Sequence, residues 1–153
     1  LKTRFPELLA DLHLVYMWSF KCHQKGAGVA LHHDSAVVNV NFWLTSDQAN
    51  QETGSGGLCV YTKAPPEHWD LERYRLSQKQ MKSFIKKNNV PKHCVPYKQN
   101  RVVIFNSRLL HETQDFQFLA GYLNQRINVT LLFGKRPLRY NAQKELPSAF
   151  MQS

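Results

Sequence analysis

The stretch LHHDSAVVNVNFWL, residues 31–44, sets two histidines and an aspartate before a run in which asparagine recurs at every second place. On an extended segment, side chains two apart point the same way and neighbours point apart. His32 and Asp34 can therefore face one divalent cation, while His33 turns towards the surroundings. A third ligand is offered by His111 in LLHET, at the end of a later strand. Two imidazoles and one carboxylate on one face of an ion leave three positions open, the donor set of non-haem Fe(II) oxygenases. Such an iron draws electrons from 2-oxoglutarate, which chelates it through the 1-carboxylate and keto oxygen and leaves its far carboxylate in need of a cation. Arg126, fifteen residues beyond His111, opens an otherwise apolar strand and can hold that carboxylate with two parallel hydrogen bonds. Asn128 and Thr130 share its face by the same period of two and can complete the cradle. Asn39 and Asn41 read either as polar lining that touches the cosubstrate or substrate, or as hydrogen-bonded spacers in the sheet. Tyr16 and Tyr61 read either as phenols for a cosubstrate carboxylate or as sheet-face aromatics. Taken alone, His32 and Asp34 also fit an ordinary polar turn, and Arg126 fits a surface cation; the ordered set is what points to a metal.

These residues need strands to carry them. HLVYMWSFK (13–21) has the branched and aromatic content of a strand, and QKGAG (24–28) has the glycines of a turn. GVALHHD predicts a short second strand. VVNVNFWLT (37–45) alternates, with Val38, Val40, Phe42 and Leu44 on one face and Val37, Asn39, Asn41 and Trp43 on the other. GLCVYT (57–62), RVVIF (101–105), RLLHET (108–113) and RINVTLLFG (126–134) supply further strands. Leu71, Tyr74, Met81 and Ile85 share one helical face among lysines and arginines and predict a single long helix over 69–88, stopped by Asn88, Asn89 and Pro91. Short strands around one inserted helix predict a mainly β fold, a jelly roll or cupin-like double-stranded β-helix.

With 153 residues, 42% of them hydrophobic, the chain fits one domain with a real core, and no repeat or linker divides it. It opens at Leu1 without methionine and reads as a fragment of a longer chain, with a basic tail at 135–153. No apolar stretch approaches the roughly 18 residues of a membrane span. Cys22, Cys59 and Cys94 are odd in number, widely spaced and without a CxxC, which predicts neither a disulfide framework nor a cysteine zinc site and points to a soluble protein of a reducing, cytoplasmic compartment. The +9 net charge is concentrated in the helix segment and the tail; it favours acidic partners and fits a solvated helix face better than a nucleic-acid groove. His93 and Cys94, between Pro91 and Pro96, lack further ligands.

HHD (32–34), GGL (56–58), NRVVIFNSRLLHET (100–113) and GYLNQRINVTLLF (121–133) together resemble the Fe(II)- and 2-oxoglutarate-dependent dioxygenases, over about 100 residues. The resemblance implies metal ligands at His32, Asp34 and His111, cosubstrate binding at Arg126, and hydroxylation or oxidative demethylation with release of succinate and carbon dioxide. RINVT resembles the ending of the oxidative nucleobase demethylases, but the second arginine expected six places on is Leu132. Collagen-type prolyl hydroxylases carry lysine in place of Arg126, and the related halogenases lack the carboxylate of Asp34. A small-molecule or protein side-chain substrate is the expectation, with nucleic-acid demethylation and a non-catalytic cupin-like binding module as the alternatives. Nothing in the sequence specifies an oligomeric state or a substrate.

Overall fold

A computed structural model describes residues 1–66, 69 and 77–135. The fold is mainly β and jelly-roll-like. Among the described residues nine strands follow a short helix α1 (Pro6–Leu9): β1 (His13–Lys21), β2 (Lys25–Gly26), β3 (Val38–Trp43), β4 (Leu58–Tyr61), β5 (Lys92–Val95), β6 (Val102–Asn106), β7 (His111–Thr113), β8 (Phe116–Gln117) and β9 (Ile127–Gly134). Helix α2 (Gln78–Lys87) is inserted between β4 and β5. One antiparallel sheet has the order β1-β9-β3-β6, and a second has the order β5-β4-β7. The second is widened by an antiparallel bridge between His32 and His111, and β8 pairs with β2.

The alternation read in β3 settles which side chains enter the space between the sheets. Trp43 is buried there with Leu58, Val60, Tyr97, Phe116 and Phe118. The odd-numbered residues of β3 share this face, so Asn39 and Asn41 are carried inwards with the tryptophan. On the opposite face Val40 packs with Leu9 of α1, Leu12 of the turn that follows it and Phe133 of β9. Helix α2 begins at a capping box, in which the Ser77 hydroxyl accepts from the Gln80 backbone and the Gln80 side chain accepts from the Ser77 backbone. It presses Met81 and Phe84 onto Leu31 and Leu110. Those two leucines immediately precede His32 and His111, so burying them under the helix turns both imidazoles the other way, into the fold.

Several expectations change. The segment before His32 forms only the single bridge, while the pairing strand β2 lies in QKGAG, where a turn is predicted. The helix spans Gln78–Lys87; of the rest of its predicted range only Trp69, Ser77 and Asn88 are described, so Leu71 and Tyr74 lie outside the described residues, as does the tail from 136 on. The cysteine reading is corrected: Cys59 and Cys94 stand directly opposite each other on β4 and β5 and form a disulfide, leaving Cys22 free. Strand register, which spacing does not encode, brings the two together, and the argument for a reducing compartment loses its basis. Among the described residues no helix is long and apolar enough to cross a membrane.

Candidate metal centre

His32 and His111 form a reciprocal backbone pair, His32 N–H to His111 O at 2.9 Å and His111 N–H to His32 O at 2.8 Å. Directly paired residues point to the same side of a sheet, and the ring centroids lie 4.1 Å apart. Asp34 is tied down two residues on, where its N–H donates to Ser107 O at 3.1 Å. One ligand atom from each of His32, Asp34 and His111 can be chosen so that all lie within 4.8 Å of one another. The parity argument thus selects the residues the fold brings together.

The protons are arranged for ligation. Nδ1 of His32 sits 2.7 Å from Ala30 O, and Nδ1 of His111 sits 2.8 Å from Leu109 O. A carbonyl only accepts, so each Nδ1 carries a proton, and in the neutral tautomer that this sets the lone pair lies on Nε2. Nε2 of His111 then lies 3.3 Å from Asp34 Oδ2. Two electron-pair donors tolerate that distance only with a proton or a cation between them, so the donor set fits a divalent ion. Burial pushes the pKa of His32 down, and neighbouring His111 adds to this, while Asp34 opposes it. Burial alone pushes Asp34 up, but its contact with His111 and the charges of all three histidines outweigh that and hold the carboxyl below its usual range. The direction at His32 favours the neutral imidazole and that at Asp34 the ionised carboxylate, the ligating form of each.

Arg126 is 3% exposed. Its Nε donates to Gly56 O at 2.7 Å, and its guanidinium lies 5.5 Å from the Phe116 ring centroid and 5.9 Å from that of Tyr97. No carboxylate of the described residues pairs with it. Burial lowers its pKa, partly opposed by the Cys22 thiol. A cavity of about 310 Å³, lined among others by Cys22, Thr113, Phe116, Arg126 and Asn128, gives the guanidinium space for an anion. A larger cavity of about 500 Å³ lies on the helix side of the second sheet, beside the disulfide and the Lys92–Glu112 ion pair, and contains none of the candidate residues. Chemistry rather than size selects the smaller one.

The remaining candidates separate. Asn128 lines the Arg126 cavity, and Thr130 is buried next along β9. Asn39 and Asn41 are buried between the sheets, Asn39 reaching Asp34 and Asn41 reaching Thr130. Tyr61 donates its hydroxyl to Glu112, towards the larger cavity, and Tyr16 is 51% exposed on β1, so neither phenol stands at the centre. His33 is partly buried, and its Nδ1 has no hydrogen-bond partner among the described residues. Tyr97, whose hydroxyl donates to Thr45 O while its ring flanks Arg126, and the carbonyl of Gly56 are neighbours that sequence reasoning missed. Gly56 adopts φ +76°, and a side chain on Gly57 would run into the Val95 carbonyl, which is the physical content of the GGL string.

No family model matches the sequence, and no curated protein matches it. Among solved structures, AviO1 from Streptomyces viridochromogenes Tue57 is similar over 76% of this chain, at 20% identity and a TM-score of 0.40. The match spans 48% of the AviO1 chain.

Proposed function

We propose that the chain is an Fe(II)- and 2-oxoglutarate-dependent dioxygenase that hydroxylates, or oxidatively demethylates, a small molecule or a protein side chain. One observation carries the reading: the His32–Asp34–His111 donor set shares one fold with a buried arginine that faces a cavity and has no carboxylate partner among the described residues. Nε2 of both histidines and the Asp34 carboxylate would hold the iron, and Arg126 would receive the far carboxylate of the cosubstrate, with Asn128 beside it. When bound, iron and 2-oxoglutarate supply oxygen activation, yielding succinate, carbon dioxide and one oxygen atom for the substrate. The chain's own share is to orient and shield. The backbone carbonyls of Ala30 and Leu109 hold the imidazole tautomers, and Phe105, 4.9 Å from the His111 ring centroid, walls the centre on one side.

The nucleic-acid reading gains no support at Leu132, which is 2% exposed and lies where a second arginine would be required. A non-catalytic cupin-like module would bind metal without turnover. The test is incubation with cell extract, Fe(II) and 2-oxoglutarate. The proposal expects succinate release and a product heavier by one oxygen, both lost in His32→Ala and Asp34→Ala. Retained turnover in either variant would refute the ligand assignment, and metal uptake without succinate from any extract would favour the binding module.

A further inference from the structure

Asn39 is completely buried, and both ends of its amide are engaged. Its Nδ2 donates to Asp34 Oδ2 at 2.6 Å, and its Oδ1 accepts from Asn41 Nδ2. Asn41 Oδ1 accepts from the Thr130 hydroxyl at 3.0 Å, across the register pair Asn41–Thr130 of β3 and β9. Thr130 Oγ1 accepts in turn from Asn128 Nδ2 at 3.0 Å. The four side chains form a ladder from the wall of the Arg126 cavity to a carboxylate of the candidate metal centre.

Its direction follows from chemistry alone. An ionised carboxylate only accepts, so Asn39 must turn its NH₂ to Asp34 and its oxygen to Asn41. Asn41 must then give its NH₂ to Asn39 and its oxygen to the Thr130 proton, which leaves the Thr130 oxygen for the NH₂ of Asn128. Asparagines that served only as spacers in the sheet would need no shared direction and no end point on Asp34. Resting on the reading of His32, Asp34 and His111 as a metal site, we infer that Asn39, backed by Asn41 and Thr130, positions the Asp34 carboxylate for metal binding. Asn39 and Asn41 are then positioning residues, not contacts of the cosubstrate.

Titration of the intact chain with Co(II), read by its visible ligand-field absorption, tests this without turnover. Asn39→Ala is expected to bind Co(II) roughly 10- to 100-fold more weakly, as loss of a hydrogen-bond partner of a ligand does elsewhere, with a shifted band. Thr130→Val keeps the side-chain shape and breaks the ladder three hydrogen bonds from the carboxylate oxygen; it should weaken binding by roughly 3- to 10-fold. Thr130→Ser, which restores the hydroxyl, should stay within about twofold of wild type. Should Asn39→Ala fail to fold, the two Thr130 variants decide alone. Valine and serine variants with wild-type affinity and an unmoved band overturn the inference and leave the metal site standing. A wild-type chain that takes up no Co(II) overturns the metal site and the inference with it.

Discussion

Replacing Arg126 by methionine separates a ligand-binding role from a structural one. Even buried ion pairs are often matched or exceeded in stability, by up to ~1–4 kcal/mol, by packed apolar side chains, and removing the Arg126 charge likewise relieves its desolvation. Against this, Gly56 O loses the donor that reaches it at 2.7 Å, and an unsatisfied buried carbonyl costs ~1–3 kcal/mol. The two nearly cancel. At ~2–4 °C per kcal/mol for a chain of this size, ligand-free Arg126→Met should melt within roughly 5 °C of wild type. Binding behaves differently. Two charge-assisted hydrogen bonds to a carboxylate, at ~1.5–3 kcal/mol each, amount to a loss of at least about a hundredfold in affinity. With 2-oxoglutarate at a hundred times its wild-type Kd, binding adds ~2.7 kcal/mol to wild type and at most ~0.4 kcal/mol to the variant. The assay is thermal unfolding with Mn(II) in place of redox-active iron, with and without 2-oxoglutarate. It should show a ligand-induced rise of roughly 5–11 °C in wild type and no more than about 2 °C in Arg126→Met. A variant that melts roughly ten or more degrees lower without ligand, yet keeps the wild-type rise, would make Arg126 a structural residue and not a ligand-binding one.

Other consequences are more local. The Cys59–Cys94 disulfide closes a separation of 35 residues, so chain entropy gives it about 3–4 kcal/mol; Cys94→Ala should lose that in denaturant titrations under oxidising conditions and match wild type in excess reductant. Gly57→Ala forces a methyl group into the Val95 carbonyl and should destabilise by ~1–3 kcal/mol, displacing the Gly56 carbonyl from Arg126 and weakening 2-oxoglutarate binding in the same melting assay. Leu110→Ala removes a fully buried contact between α2 and the strand that carries His111; ~2–5 kcal/mol of destabilisation is expected in denaturant unfolding, with weaker Co(II) uptake.

The period of two made the centre of the fold legible. It separated the two faces of β3, placed His32 with Asp34, and aligned Asn128 and Thr130 on β9. The limits of β1 were legible too, because aromatic and branched residues are concentrated between His13 and Phe20. Strand β5 was hidden, because KHCV has three exposed residues and no alternation and lies between prolines. Its pairing with β4, and with it the disulfide, depends on long-range register. The roles of Asn39 and Asn41 were open for a similar reason: the pattern says which face they occupy, but only the fold brings Asp34 within reach of Asn39. The neighbours of Arg126 come from Gly56 and Tyr97, far away in sequence and without a local signal.

The most direct test of the central claim is the visible spectrum of the Fe(II)-loaded protein on addition of 2-oxoglutarate in the absence of oxygen. A weak absorption band of the iron–oxoglutarate chelate is expected in wild type, absent in His111→Ala and reduced in Arg126→Met at subsaturating cosubstrate. A wild-type protein that binds Fe(II) but develops no band at millimolar 2-oxoglutarate would contradict that claim.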